Sequence, residues 1–153
     1  MEVSIRRLRL NEVEKLEELY QEYMRIDESR HATIRESLGD EDSEIMVAEA
    51  DGKLVGVSHQ VFYEDPLHAG KCSNILFLYV TESFRRQGIG RSLLARAVKS
   101  ARERGVLEVH VSTRADNKTA IKMYEEFGFE CAGPLFECTP SGLEDTIHGE
   151  AGA

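Results

Sequence analysis

Residues Ile75-Leu76-Phe77-Leu78-Tyr79-Val80 form an unbroken apolar and aromatic run with no polar alternation. A strand with one wet face alternates between apolar and polar residues. One that does not alternate must be covered on both faces. A sheet covered on both sides needs helices above and below it, which restricts the chain to a layered helix-and-sheet fold.

The rest of the chain supplies those layers. Val3 to Leu10 alternates and reads as a first strand. Asn11 is placed to cap a helix, with Glu14 at capping-box spacing, and Val13, Leu16, Leu19, Tyr20 and Tyr23 carry the helical period to about Ile26. A second helix is expected over about Ser29 to Leu38. Glu44 to Ala50 and Leu54 to Phe62 read as a hairpin around Asp51-Gly52. After the apolar strand come a helix from about Gly88 to Arg104, a strand from Val106 to Ser112, a helix from Asn117 to Phe127 and a final strand from Phe129 to Cys138. The expected order is β-α-α-β-β-β-α-β-α-β, a mixed-sheet α/β fold in one domain over residues 1–140. The small and polar residues 141–153 read as a tail.

Composition narrows the partners. The 153 residues are 41% hydrophobic and 31% charged, a globular balance. The net charge of −9 disfavours nucleic acid, which needs a basic face, and favours a cationic partner such as an amine. No apolar run approaches the ~18 residues of a membrane span. No secretory signal is visible at Met1-Glu2-Val3-Ser4-Ile5, so the cytoplasm is the expected compartment. Cys72, Cys131 and Cys138 lack C-x-x-C spacing, and His31, His59, His68, His110 and His148 lack H-x-x-x-H spacing. Neither a disulfide framework nor a metal site is expected from these patterns.

Chemistry concentrates at Arg85-Arg86-Gln87-Gly88-Ile89-Gly90, where the apolar strand gives way to a helix. A helix start carries unpaired N–H groups and a partial positive charge. Glycines there let an anion approach without a Cβ in the way. Arg85, Arg86 and Arg91 add charge suited to pyrophosphate. A dinucleotide fingerprint would need a third glycine where Leu93 stands, and a P-loop would need Lys where Arg91 stands. A plain glycine turn into an ordinary helix remains open from these residues alone.

Two motifs in order resemble the GNAT family of N-acetyltransferases. The first is [QR]-x-x-G-x-[GA] at Arg85 to Gly90, preceded by Leu78-Tyr79-Val80. The second is N-x-x-A-x-x-x-Y-x-x-x-G-F, met by Asn117, Ala120, Tyr124, Gly128 and Phe129. The expected element order matches that fold from residue 2 to about 138. The resemblance implies acetyl-CoA as co-substrate, with its pantetheine arm between splayed central strands and pairing with the backbone of Leu78 and Val80. It implies pyrophosphate on the amides of Arg85, Arg86, Gln87, Gly88, Ile89 and Gly90, with Arg91 adjacent. It also implies Asn117 on the cofactor arm or capping its helix, and Tyr124 as the acid facing the CoA sulfur. Periodicity alone reads Tyr124 as a core aromatic, and capping alone accounts for Asn117.

The implied reaction moves an acetyl group to a primary amine of a small molecule or peptide. A non-catalytic acyl-CoA-binding regulatory module is the alternative, and an interaction domain without cofactor is a third reading. Some relatives carry a glutamate base on the central strand, but Ser73 to Leu78 has no acid. Glu49, His59, Glu64, Asp65 and His110 are candidates for the base, as is a water relay, and none is assigned. A homodimer is compatible with the resemblance, and the acceptor's identity carries no recognised motif.

Overall fold

The computed structural model describes residues 2–142, so residues 143–153 of the expected tail lie outside the described residues. Chain packing divides into two compact units, Met1–Ser112 and Thr113–Ala153.

The first unit is a five-stranded sheet in sequential order. Its strands are β1 (Val3–Arg7), β2 (Ser43–Ala50), β3 (Lys53–Asp65), β4 (Gly70–Val80) and β5 (Glu108–Val111). The first four pair antiparallel, and β4 pairs parallel with β5. Parallel pairing needs a crossover, which α3 (Ile89–Glu103) provides. Helices α1 (Val13–Tyr23) and α2 (His31–Gly39) connect β1 to β2.

Strand alternation divides the core between the two faces of the sheet. Ile45, Val47 and Val57 pack with Leu16, Leu19 and Ile34 of α1 and α2. Met46, Ala48, Ala50 and Val55 pack with Ile89 and Leu93 of α3. Both faces are therefore covered, as the unbroken β4 run requires. Gly56 lets α3 come close: a Cβ there would stand 3.1 Å from Leu93 Cδ1 and 3.3 Å from the Tyr79 carbonyl oxygen. Across the same interface, buried Ser73 donates to Gln60 Oε1 at 3.1 Å, and Gln60 Nε2 donates to the Ala97 carbonyl at 3.1 Å. The polar groups buried there are thus paired rather than orphaned.

The first helix begins differently from the expectation. Residues Leu10–Glu12 form a 3-10 turn, and Glu12, not Asn11 with Glu14, closes the start by accepting from the Arg9 N–H at 3.0 Å. Glu12 is chosen because Arg6 of β1 reaches it bidentately, at 2.7 and 2.9 Å. Those charged hydrogen bonds pull its carboxyl from an ordinary 4.5 to about 2. A depressed folded-state pKa contributes stability that is present above the unfolded value and lost as pH falls through the folded one. We expect about 3 kcal/mol of stability to disappear between roughly pH 4.5 and 2, and Glu12→Gln to flatten that loss. Urea midpoints measured across this range check it. Parallel curves for the two proteins would show that the pair contributes nothing.

The second unit contains α4 (Lys118–Phe127). Gly128 ends it in the left-handed region at φ 108°, and the Phe129 N–H returns to the Tyr124 carbonyl at 2.9 Å. The strand expected over Phe129 to Cys138 does not form: residues 130–139 are exposed irregular backbone. Gly133, at φ 145°, and Pro134, which has no N–H to donate, interrupt the alternation that suggested it.

Candidate functional site

The middle of β4 is a fork in its hydrogen bonding, with both edges paired up to Ile75 and one edge paired beyond it. Its pairing with β3 passes from Gln60↔Ile75 directly to His59↔Phe77, leaving Leu76 as an unpaired bulge residue. Its pairing with β5 ends at the same place, at Ile75↔Val111. β5 itself ends at Val111, so its pairing stops there, and the bulge at Leu76 bends β4 at the same level. From Leu76 to Val80 the far edge of β4 therefore presents N–H and C=O groups without a β5 partner. Such an edge accepts an extended chain as a sheet accepts an added strand.

The sequence after β4 builds a second feature at that end. The Thr81 N–H donates to the Val55 carbonyl at 2.9 Å, and Glu82–Phe84 make a 3-10 turn. Arg85 folds back: its Nε donates to the Val80 carbonyl at 2.8 Å, and its guanidinium lies 5.4 Å from the Tyr79 ring centre. Arg86 and Gly88 take positive φ, 63° and 80°. Gly88 is the cap residue of α3 and offers no side-chain acceptor to the first-turn amides. A Cβ at Gly88 would meet nothing within 4 Å. The space before the helix start is open, so the left-handed backbone rather than packing calls for glycine here, and the approach to the first amides is clear.

The expected cofactor residues of the first unit thus gather at one end of β4 and α3. Leu78 and Val80 turn their side chains into the cluster around Ile89 and Leu93, which leaves their backbone for pairing. Arg86, Gln87 and Arg91 are exposed, and Ile89 is buried. Arg85 serves first as a clasp on Val80, occupying a carbonyl that the resemblance assigned to the cofactor arm.

Asn117 and Tyr124 belong to the second unit. Asn117 Oδ1 accepts from the Ala120 N–H at 3.1 Å, so this residue caps α4. Tyr124 is half-buried, with its ring 5.8 Å from that of Phe129, and burial pushes its phenol above the ordinary 10.0.

The five candidate bases have different surroundings. Glu49 is ion-paired to Arg6, Asp65 to His68, and His110 to Glu108. Glu64 stands opposite Lys71 at the sheet's other end. Of the five, only His59 lines the pocket of about 240 Å³ framed by Tyr20, Arg30, Thr33, Ile34, Ser37 and Ile45. Its Nε2 lies 2.8 Å from Ser43 Oγ, and burial lowers its pKa, so it is neutral at pH 7.

Glu22 was not expected. It leaves the exposed side of α1 and accepts from the Tyr79 hydroxyl at 2.9 Å and from Thr81 Oγ1 at 3.1 Å, at the open end of β4. Tyr23 packs edge-on against Phe77 and Tyr79, at 4.9 and 5.4 Å between ring centres. On a helix with five charged residues among its eleven nothing marks Glu22 out, because its significance comes from β4 lying beneath it.

Comparison with known proteins agrees with this architecture. Over 104 residues the chain is 32% identical to N-acetyltransferase 8 of Homo sapiens, a match covering 67% of this chain and 46% of that protein. Over 100 residues it is 32% identical to N-acetyltransferase family 8 member 3 of Rattus norvegicus, covering 65% and 44%. The chain spans less than half the length of these curated relatives. A transcriptional regulator from Bacillus halodurans C-125 shares the fold with a TM-score of 0.83 at 22% identity, over 90% of this chain and 99% of that one. So does AAC(6')-Iy in complex with the bisubstrate analog CoA-S-monomethyl-acetylneamine, with a TM-score of 0.80 at 20% identity, over 91% and 98%. Residues 10–129, which hold the forked β4, the glycine turn and α4, match the model of the acetyltransferase (GNAT) family, and the chain belongs to that family.

Proposed function

We propose that this chain transfers an acetyl group from acetyl-CoA to a primary amine. The observation that carries the reading is a coincidence of place: the unpaired β4 edge from Leu76 to Val80 runs directly toward the uncapped start of α3. One feature suits an extended amide-bearing arm, and the other suits a pyrophosphate. The open space before Gly88 fits the second role, since a glycine with room for a Cβ but none present leaves the approach to the amides clear.

The roles follow from these positions. The backbone of Leu78 and the N–H of Val80, whose carbonyl Arg85 already holds, pair with the arm, and the turn from Arg85 to Gly90 holds the phosphates, with Arg86 and Arg91 supplying charge. When bound, acetyl-CoA supplies a thioester acyl donor. A strand N–H near Val80 polarises the carbonyl under attack. The acceptor amine, with a pKa near 10.4 if it resembles lysine, must lose a proton first. His59, neutral and set in a pocket on the α1–α2 face, is the group we assign to receive it, directly or through water. The resemblance carried by the second motif assigns Tyr124 as the acid that protonates the departing sulfur.

The acceptor is cationic in this reading. Glu22 places a carboxylate at the open end of β4, where the exposed Tyr23 ring also lies against Tyr79, a combination that attracts an ammonium group. The chain's net charge of −9 acts in the same direction.

Thermal unfolding with acetyl-CoA, CoA, NAD or ATP in separate samples tests the reading. At ~100 times its dissociation constant a ligand stabilises by about 2.7 kcal/mol, a rise of a few degrees for a chain of this size. We expect that rise with acetyl-CoA and CoA only. A rise with NAD or ATP instead would refute the assignment of the turn. Binding of acetyl-CoA without transfer to any of a panel of amines would make the chain a non-catalytic acyl-CoA-binding module.

A further inference from the structure

The closed end of the β4–β5 pair, opposite the fork, gathers a set of side chains that the acetyltransferase reading does not use. Asp65 ends β3, His68 sits in the turn that follows, and Cys72 is the third residue of β4. One donor atom from each lies within 4.8 Å of the other two. We propose that Asp65, His68 and Cys72 bind a single Zn²⁺ ion.

The geometry of the cluster makes the case. Asp65 Oδ1 accepts from the Leu67 N–H at 3.0 Å, which fixes the carboxylate and aims Oδ2 inward. That oxygen faces His68 Nδ1 in a close contact and stands 3.9 Å from Cys72 Sγ. On the other side of the ring, His68 Nε2 lies 2.9 Å from Glu108 Oε2. An ionised carboxylate only accepts, so Glu108 places the proton of a neutral imidazole on Nε2. Nδ1 is then a lone pair pointing at the Asp65 oxygen. Their close contact has room for a proton and not for an ion, so Zn²⁺ displaces that proton, and the His68 ring, carried on a turn, moves out to admit it. A carboxylate holding the outer nitrogen of a metal-bound histidine is a common second layer of such sites.

An imidazolium bridging Asp65 and Glu108 would also satisfy both contacts. In that state the fully buried thiol donates to the same Oδ2 at 3.9 Å, whereas as a thiolate it supplies a third ligand. Nitrogen, oxygen and sulfur donors together suit Zn²⁺ better than Mg²⁺ or Ca²⁺, which take oxygen ligands. Asp65 and His68 retain 22% and 30% side-chain exposure, which gives the ion a way in and leaves a coordination position to water. The spacing D-x-x-H-x-x-x-C spans a turn and a strand start, so neither C-x-x-C nor H-x-x-x-H patterns disclose it. Glu108 stands opposite Cys72 in the parallel register. The ion would therefore pin the β3–β4 turn to the first residue of β5, clamping the pair at the end opposite the fork.

The test uses the full chain without a histidine tag, stripped with chelator and dialysed. Zn²⁺ is titrated against a chromophoric competitor, and Co²⁺ is added in parallel as a spectroscopic probe. We expect one Zn²⁺ per chain with a dissociation constant of about 1 µM or tighter. Co²⁺ should give a thiolate charge-transfer band that Cys72→Ser abolishes and His110→Ala retains. His68→Ala, in a partly exposed turn, should weaken Zn²⁺ at least ~100-fold and remove the rise in melting temperature that Zn²⁺ gives the unmodified chain. If buried Cys72→Ser does not fold, His68→Ala decides alone. Absence of stoichiometric uptake, or uptake unchanged by His68→Ala, would overturn the proposal and leave the imidazolium bridge as the account of the cluster.

Discussion

Gly90→Val removes acetyl-CoA binding while the protein still folds. The expected loss is at least ~100-fold in affinity, about 2.7 kcal/mol, which is the order of cost of forcing extra methyl groups into a filled contact. The choice of glycine matters. Gly88 sits at φ 80°, where any side chain strains the backbone, so a variant there would mix damage to the turn with damage to the site. Gly90 is the second residue of α3 and lies outside the positive-φ set. A valine there keeps helical geometry and is no worse a helix former than glycine. It adds bulk at the first turn, where the amides would meet phosphate. Equilibrium binding of acetyl-CoA, read beside a thermal melt without ligand, separates the effects. Undiminished binding with an unchanged melt would mean that the phosphates lie elsewhere.

Local chemistry was the legible part of this sequence. Asp51-Gly52 reads as a tight hairpin turn, and both residues take positive φ, 50° and 78°. The glycine turn before α3 likewise declares itself, because positive φ and an open approach are requirements that only particular residues meet. What stayed hidden depends on partners distant in sequence. The bulge at Leu76 lies inside an unbroken apolar run, which carries no register, so the place where β4 loses its β5 partner cannot be read from it. Asn11 has the right chemistry for a cap, yet Glu12 takes the role because Arg6 reaches it from β1. Phe129 to Cys138 has strand-like composition that Gly133 and Pro134 defeat. Glu22 and the Asp65–His68–Cys72 group gain meaning only when a neighbouring strand or turn is laid against them. The fork and the turn together turn a motif into an argument, since either alone also fits an ordinary sheet edge or an ordinary helix start.

Tyr124→Phe lowers the rate of acetyl transfer by about 10²-fold and leaves acetyl-CoA affinity unchanged. The substitution deletes one oxygen and keeps the ring that packs against Phe129, so the second unit loses no apolar contact. The magnitude follows from acidity. Burial raises the Tyr124 phenol above 10.0, which keeps it protonated throughout the working range but makes it a weaker acid. A thiol has a reference pKa near 8.5, so the departing sulfur takes a proton from this phenol only against a gradient. That places the effect at the lower end of general-acid catalysis rather than at the ~10⁴-fold end. The pH profile supplies a second, sharper reading. The rate should rise with pH as the acceptor amine deprotonates, then fall above pH 10 as the phenol ionises, and the fall should be missing from Tyr124→Phe. Equal rates for the two proteins would take Tyr124 out of the mechanism. A lowered rate with the alkaline fall intact would make it a packing residue that acts through position alone.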